Sequence, residues 1–179
     1  MSLHYEIRLS GAGGQGLILI GKILAEAAAI YDEKNATQSQ SYGPEARGGA
    51  SKSEVIISDG DIDYPKATSI DLLLAMTQEA ADKYSADVKK DGVVIVDSGF
   101  VSDPPKGDFK VYSFPITQIA EDKIGKKLVA NIVALGAMER VMKVITEKAL
   151  INAIRARVPK GTEDINIRAF KLGQEFVKD

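Results

Sequence analysis

Cysteine is absent from the chain, and histidine occurs once. Without cysteine this chain can hold no disulfide, thiolate zinc site, cysteine nucleophile or cysteine-ligated iron–sulfur cluster. The single histidine, His4, stands in an end expected to fray and is read as solvated rather than catalytic. No H-E-x-x-H, G-x-S-x-G, P-loop or histidine-bearing triad occurs. Net charge is −2 and pI about 5.6, with acids and bases interspersed. No basic field is therefore available for phosphate backbones, and no nucleic-acid partner is expected. Apolar runs stay well short of the roughly 18 residues a membrane span needs, so no membrane association is expected. No charged n-region precedes an apolar h-region at the start. Together with the missing cysteine, these absences point to a cytoplasmic location.

What is present is ordinary for a globular protein: 45% apolar and 27% charged residues over 179 positions. One domain over residues 1–179 is expected, large enough to bury a core unaided. Residues 4–10 read as a strand, followed by a helix from Gly16 to Tyr31 with Leu17, Ile20, Leu24, Ala27 and Ala28 on one stripe. Residues 35–50 are polar and glycine-rich, with room for only a short strand at their start. "SEVIIS" (53–58), "IDLLLAM" (70–76), "GVVIVDSG" (92–99) and "FKVYSF" (109–114) read as strands, with a crossover helix over 78–90. The last third reads as helices over 116–124, 127–145, 147–157 and 163–177, with Thr146 and Thr162 as N-caps. The predicted class is α/β: a mostly parallel, Rossmann-like sheet flanked by helices, with a helical C-terminal third. In such sheets ligands meet the carboxyl ends of the strands. The glycine loop after the first strand, Met76-Thr77 and Asp97 to Gly99 should therefore share one edge.

"GAGGQG", Gly11 to Gly16, sits between a strand and a helix and fits G-x-G-x-x-G. Gly11 permits a tight turn, Gly13 admits a ligand to the backbone, and Gly16 lets helix and strand pack closely. Gln15 offers an amide to a ligand or to a neighbouring loop. The second half of a dinucleotide fingerprint, an acid closing the next strand about 20 residues on, is missing. In its place stands "DEKNATQSQS", with Asp32 and Glu33 ahead of the possible strand. A dinucleotide site, a turn that serves packing alone, and a site for another anion or a protein partner all remain open. "SYGPEARGG" (41–49) is a long loop for a compact domain. Arg47 can clamp a carboxylate or phosphate, and Gly48 and Gly49 can offer backbone donors, although a solvated surface loop is equally consistent. Asp59, Asp61 and Asp63 imitate the start of a calcium loop, but Tyr64 and Ile70 stand at its sixth and twelfth places, so a turn is the better account. Asp97 is expected to cap a turn, and Asn131 and Gly136 to serve helix-to-sheet packing.

Taken together, "IRLSGAGGQGLILIGKILAEAA", "SQSYGPEARGGASKSEVIISDGDIDYP" and "NIVALGA" resemble the gamma subunit of the 2-oxoacid:ferredoxin (acceptor) oxidoreductases. The similarity runs from Ile7 to about Phe176 and is closest to the 2-oxoglutarate (KorC-type) branch. It rests chiefly on G-x-G-G-Q-G followed by S-Y-G-P-E-x-R-G-G at this separation. The resemblance implies a multi-subunit enzyme that converts a 2-oxoacid and coenzyme A to an acyl-CoA and carbon dioxide, with electrons passed to ferredoxin. It implies alpha, beta and ferredoxin-like delta partners, and thiamine diphosphate, magnesium, iron–sulfur clusters and coenzyme A on or shared with those partners. This chain has neither cysteines for a cluster nor a G-D-G with a following asparagine-bearing stretch for thiamine diphosphate. No catalytic residue, metal ligand or cofactor bound by this chain alone is expected. By resemblance, Gly11, Gly13, Gly14, Gln15 and Gly16 would line the cofactor edge with Ser41, Tyr42, Gly43, Pro44, Glu45, Arg47, Gly48 and Gly49. The competing reading is a free-standing Rossmann-like nucleotide-binding or regulatory protein.

Overall fold

A computed structural model describes residues 2–41 and 50–178. Six strands, β1 (His4–Gly11), β2 (Asn35–Ser41), β3 (Ser51–Ser58), β4 (Ile70–Ala75), β5 (Val88–Asp97) and β6 (Lys110–Phe114), form one sheet in the order β2-β3-β1-β4-β5-β6. The β1–β4, β4–β5 and β5–β6 pairings are parallel, while β3 runs antiparallel to both β1 and β2. His4, expected to fray, is the first residue of β1, opposite Ser58. Its Nε2 lies 3.0 Å from Glu6 Oε1.

The segment 35–41 forms a full seven-residue strand where only a short one was expected. "NATQSQS" has weak strand propensity, but β3 supplies a complete antiparallel ladder from Asn35–Ser58 to Ser41–Lys52. Tertiary pairing overrides local preference here. The same topology alters the dinucleotide question. A dinucleotide-binding sheet sets its second strand directly beside the first. Here β3 occupies that place, and β2 is displaced one strand outward.

The helices are α1 (Leu17–Glu26), α2 (Gln78–Tyr84), α3 (Ile116–Ile119), α4 (Ala130–Met142), α5 (Glu147–Arg157) and α6 (Glu163–Gln174). α1 and α3 each run on into a wider turn of π type, over Ala27–Tyr31 and Ala120–Ile124. The helix expected over 78–90 stops early, because β5 begins at Val88. That expected over 127–145 begins as a 3-10 turn and ends at Met142, where Lys143 takes φ 47°. Thr146 caps α5, its hydroxyl accepting from Ala149 N–H. Thr162 does not cap α6 in this way; its Oγ1 donates to Pro159 O instead.

Alternation along β1 sorts the two faces of the sheet. Ile7 and Leu9 join the main core with α1, α3, α4, α5 and α6, while Ile56, Leu73, Val94 and Val96 pack with α2 on the other side. α4 is buried through most of its length, as its apolar circumference requires. Its tightest contact is with α6 rather than with the sheet, which corrects the expected role of Gly136. A Cβ at Gly136 would meet Phe170 O at 1.9 Å, and one at Gly173 would meet Val133 O at 1.8 Å. Two glycines thus let the helix backbones touch.

Candidate functional site

β1 ends in the glycine loop. Gly11 is buried, and a side chain there would collide with Gln15 Oε1. That oxygen accepts from Ala12 N–H at 2.7 Å, so the Gln15 amide closes the loop onto its own backbone. Gly13 and Gly14 are exposed with nothing within 4 Å of a would-be Cβ, leaving the backbone open to a ligand. Gly14 and Gly16 adopt φ 84° and 73°, a region that penalises side chains. Gly16 is also the N-cap of α1, and no side chain caps it. The first N–H groups of a helix lack intrahelical acceptors and lie at its positive end, so this terminus suits an anion. Asn131 of α4 is buried behind it and donates to Gly16 O at 3.2 Å. That bond fixes the loop to α4, where packing of the helix on the sheet was expected of Asn131.

The three segments expected at one edge do meet there. Met76 N–H donates to Ser10 O, which sets the end of β4 beside the loop. Asp97, fully buried at the end of β5, accepts from Gly99 N–H at 3.0 Å, Thr117 N–H at 3.0 Å and Thr117 Oγ1 at 2.6 Å. It therefore caps its turn, as expected, and also ties the start of α3 to β5. A cleft of about 220 Å³ opens between these segments. Gly14, Gln15 and Met76 line one part, Phe100 and Thr117 another, and Lys127, Leu128 and Ala130 the rest. Leu128 is 83% exposed and Phe100 53%, both large apolar groups offered to solvent at the mouth of a polar loop. Lys127 reaches Glu121 at 3.4 Å through solvent, a pairing too exposed to hold the ammonium tightly.

Phe100, Thr117, Lys127 and Leu128 were not singled out from the sequence. The signal for Phe100 was its place directly after "DSG"; for Lys127 and Leu128 it was "KKLVAN", two lysines and a leucine ahead of the buried Asn131. Of the second motif, Tyr42, Gly43, Pro44, Glu45, Arg47, Gly48 and Gly49 lie outside the described residues. The flanks of that segment are placed. Ser41 pairs with Lys52, Ser51 pairs with Gly11, and Ser51 Oγ donates to Gly11 O at 3.3 Å. The segment thus leaves and rejoins the sheet at the edge where the glycine loop begins. Ser41 itself lines a different cleft of about 280 Å³, with Ser39, Gln40, Lys52, Glu54, Pro65 and Lys66.

Beneath that second cleft lies a buried ionic cluster that the sequence reading also missed. Arg8 is 4% exposed; its guanidinium donates to Asp87 and to Ala67 O, approaches Glu54 at 3.7 Å, and stacks on the Tyr84 ring at 5.0 Å. Glu54 accepts from Ala67 N–H at 2.9 Å and pairs with Lys52 at 2.9 Å. Glu6 accepts from Thr68 and Ser69 N–H. Burial pushes its carboxyl up, but the bonds from His4, Ser69 and Thr68 outweigh this and hold the pKa below the ordinary carboxylate range. These charges are spent on anchoring the 59–69 connection, so the cluster reads as structural. Another concavity, about 560 Å³, lies at Lys90, Asp91 and Gly107 to Lys110 by the start of β6, the wrong end of the strands for an α/β site. Among the described residues, no three His, Asp or Glu side chains gather as a metal site.

Known proteins bear on this geometry. The chain is 51% identical to the 2-oxoglutarate synthase subunit KorC of Methanocaldococcus jannaschii, covering 100% of this chain and 97% of that one. It is 40% identical to the KorC subunit of Archaeoglobus fulgidus, over 98% and 89% of the two chains. Among solved structures, the gamma subunit of a keto/oxoacid ferredoxin oxidoreductase from Geobacter sulfurreducens PCA matches with a TM-score of 0.90 and 55% identity, covering 97% of this chain and 95% of that one. The profile of the pyruvate ferredoxin/flavodoxin oxidoreductase family matches residues 6–176, nearly the whole sheet and every helix. The chain therefore belongs to the pyruvate ferredoxin/flavodoxin oxidoreductase family.

Proposed function

We propose that this chain is the gamma subunit of a multi-subunit 2-oxoglutarate:ferredoxin oxidoreductase, and that its glycine-loop cleft forms part of the coenzyme A side of the shared active site. The observation that carries the reading is full-length similarity, at 51% identity, to a subunit named for 2-oxoglutarate synthesis. In this reading alpha, beta and ferredoxin-like delta subunits complete a cytoplasmic enzyme, and ferredoxin takes its electrons. Thiamine diphosphate with magnesium supplies the carbanion chemistry, and the iron–sulfur clusters sit on the partners. This chain holds and orients rather than reacts.

The cleft's chemistry fits that task. The open backbone at Gly13 and Gly14, the uncapped start of α1 and the Lys127 ammonium suit phosphate groups. Phe100 and Leu128 offer apolar surface against which a purine can pack. At about 220 Å³ the cleft is smaller than the roughly 300–1,000 Å³ that encloses a drug-sized ligand, so partner subunits must cover the rest of the molecule. Co-expression with the genes beside it, followed by dye reduction, tests the reading. The complex should reduce a viologen with 2-oxoglutarate, dependent on thiamine diphosphate and coenzyme A, and far more slowly with pyruvate. Full activity of the complex without this chain overturns the proposal. Calorimetric binding of NAD or FAD by the isolated chain would favour the free-standing reading instead.

A further inference from the structure

Edge strands of natural sheets are guarded by lysine, proline or a covering element, because unpaired N–H and C=O groups recruit other strands. The two edges of this sheet differ in that respect. β6 opens with Lys110 and is closed directly by Pro115. β2, at the other edge, reads "NATQSQS" over seven residues, with no charge and no proline. Among the described residues nothing pairs with its outer side. It is also long for an unguarded edge, about 23 Å at roughly 3.3 Å per residue.

Exposed apolar side chains flank the strand on both faces of the sheet. The turn Ala27–Tyr31, which packs on β2, exposes Ile30 (67%) and Tyr31 (40%). On the opposite face the connection after β3 exposes Tyr64 (60%), next to Pro65 in the cleft shared with Ser39, Gln40 and Ser41. Half of the six large apolar side chains exposed on the described surface therefore border one strand. Charge is distributed along the strand as well. At the Asn35 end Glu33, Asp59 and Asp61 are exposed, and the Asn35 amide donates to Gly60 O. Towards the Ser41 end lie Lys66 and Lys52, with Glu54 paired to Lys52 in the same cleft, so these three side chains leave that end with a net charge of +1.

An edge that is acidic at one end, basic at the other and neutral along its strand complements itself when a second copy is turned antiparallel. We propose that β2 pairs with β2 of a second copy of this chain across a twofold axis near Gln38. The two sheets become one of twelve strands, the acidic end of each copy meets the basic end of the other, and Tyr31, Ile30 and Tyr64 close over the seam. A strand pair alone buries less than the roughly 1,200 Å² of a stable interface, and the flanking side chains supply the remainder.

Charge reversal distinguishes this pairing from any other. Purified full chain should sediment as a dimer at up to about 100 µM. Lys66→Glu sets acid against acid, Asp61→Lys sets base against base, and each should weaken the dimer about tenfold or more. The double variant Asp61→Lys/Lys66→Glu restores complementarity and should return the dissociation constant to within about threefold of the original. Amide exchange over residues 35–41 should slow as concentration rises. Both positions are exposed, so unchanged thermal midpoints verify that the variants fold. A monomer at every concentration overturns the proposal, as does a dimer indifferent to the single reversals or a double variant that stays weak. Protection of 35–41 that appears only in the co-expressed complex, with the isolated chain monomeric, assigns the edge to a different subunit and overturns it equally. The pairing does not draw on the catalytic reading: dye reduction by the complex tests that reading separately.

Discussion

Replacing Gly136 or Gly173 with alanine tests the closest contact in the fold. In an exposed helix the change would stabilise by about 1 kcal/mol, because alanine loses less backbone entropy. Here the added methyl at Gly136 would stand 1.9 Å from Phe170 O, and that at Gly173 1.8 Å from Val133 O. Restoring an ordinary carbon–oxygen contact requires α4 and α6 to part by roughly 1.5 Å. Neither obstacle is a flexible side chain; each is a carbonyl locked in a helix. Ala169, Phe170, Ala134 and Ala137 pack around the crossing, so parting the helices opens voids on both sides of it. Overpacking of this kind costs about 1–3 kcal/mol, and a backbone obstacle puts it at the top of that range. After the propensity gain, each variant should lose about 2 kcal/mol, or roughly 4–8 °C in Tm for a domain of this size. The double variant should lose less than the sum, since one displacement relieves both contacts. Thermal and urea unfolding read these values, with Gly13→Ala as a control that has nothing within 4 Å and should change little. A Tm unchanged or raised by Gly136→Ala would refute the close crossing.

Lys127→Ala should raise the KM for coenzyme A several-fold in the assembled enzyme and leave Tm unchanged, since its pairing with Glu121 is exposed; unaltered coenzyme A kinetics would remove Lys127 from the site. Asp97→Asn keeps the shape but replaces an acceptor of three hydrogen bonds with a group that must present one oxygen and one donor. It should cost about 1–3 kcal/mol in chemical denaturation and quicken amide exchange over 98–101 and 116–119. Glu6 has a depressed pKa in the folded chain. Its contribution is therefore complete above the ordinary carboxylate range and is lost as pH falls through the folded pKa. Stability measured between about pH 3 and 7 should fall less steeply on the acid side in Glu6→Gln than in the parent, and identical slopes would show that Glu6 is not titrating with unfolding.

The periodic parts of the chain were legible as sequence. β4 and β5 are apolar because helices cover both faces, and "IDLLLA" and "VVIVD" say so directly. Two features were written in no local pattern. β2 exists because β3 offers it a ladder, and a strand of six polar residues and one alanine cannot advertise a partner that lies beyond "SYGPEARGG". The Gly136 and Gly173 crossing is a relation between helices 37 positions apart; each glycine alone reads as a weakness in its helix. Arg8 belongs to the same class. It looks like an outward-facing strand residue until Glu54, Asp87 and Tyr84, which lie far off in sequence, enclose it.

The site divides along the same line. The glycine loop was readable in part: the tight turn at Gly11 and the open backbone at Gly13 were expected, whereas the left-handed φ of Gly14 and Gly16 was not, and Gly16, expected to pack helix on strand, lies against Asn131 of α4 instead. Its use as a dinucleotide grip was doubtful from the missing acid, and the topology supplies a physical reason. With β3 beside β1, any acid closing β2 would stand one strand farther out, about 4.8 Å, from the place a ribose occupies in a dinucleotide fold. The placed flanks of the second motif both end beside this loop, Ser51 pairing with Gly11 and Ser41 with Lys52. The rest of the cleft comes from the ends of β4 and β5 and the start of α4, three places separated by more than 50 residues between Met76 and Leu128. The strand-end rule put Met76 and the Asp97 turn at this edge, and the buried Asp97 and Asn131 pointed to its supports, because polar groups in apolar segments must find partners. Here those partners, Thr117 and Gly16, are what hold the cleft walls in register. On the proposed reading, a glycine loop facing α4 and the β5 turn, rather than a ribose-binding acid on the second strand, is suited to a ligand that one subunit begins to enclose and others finish.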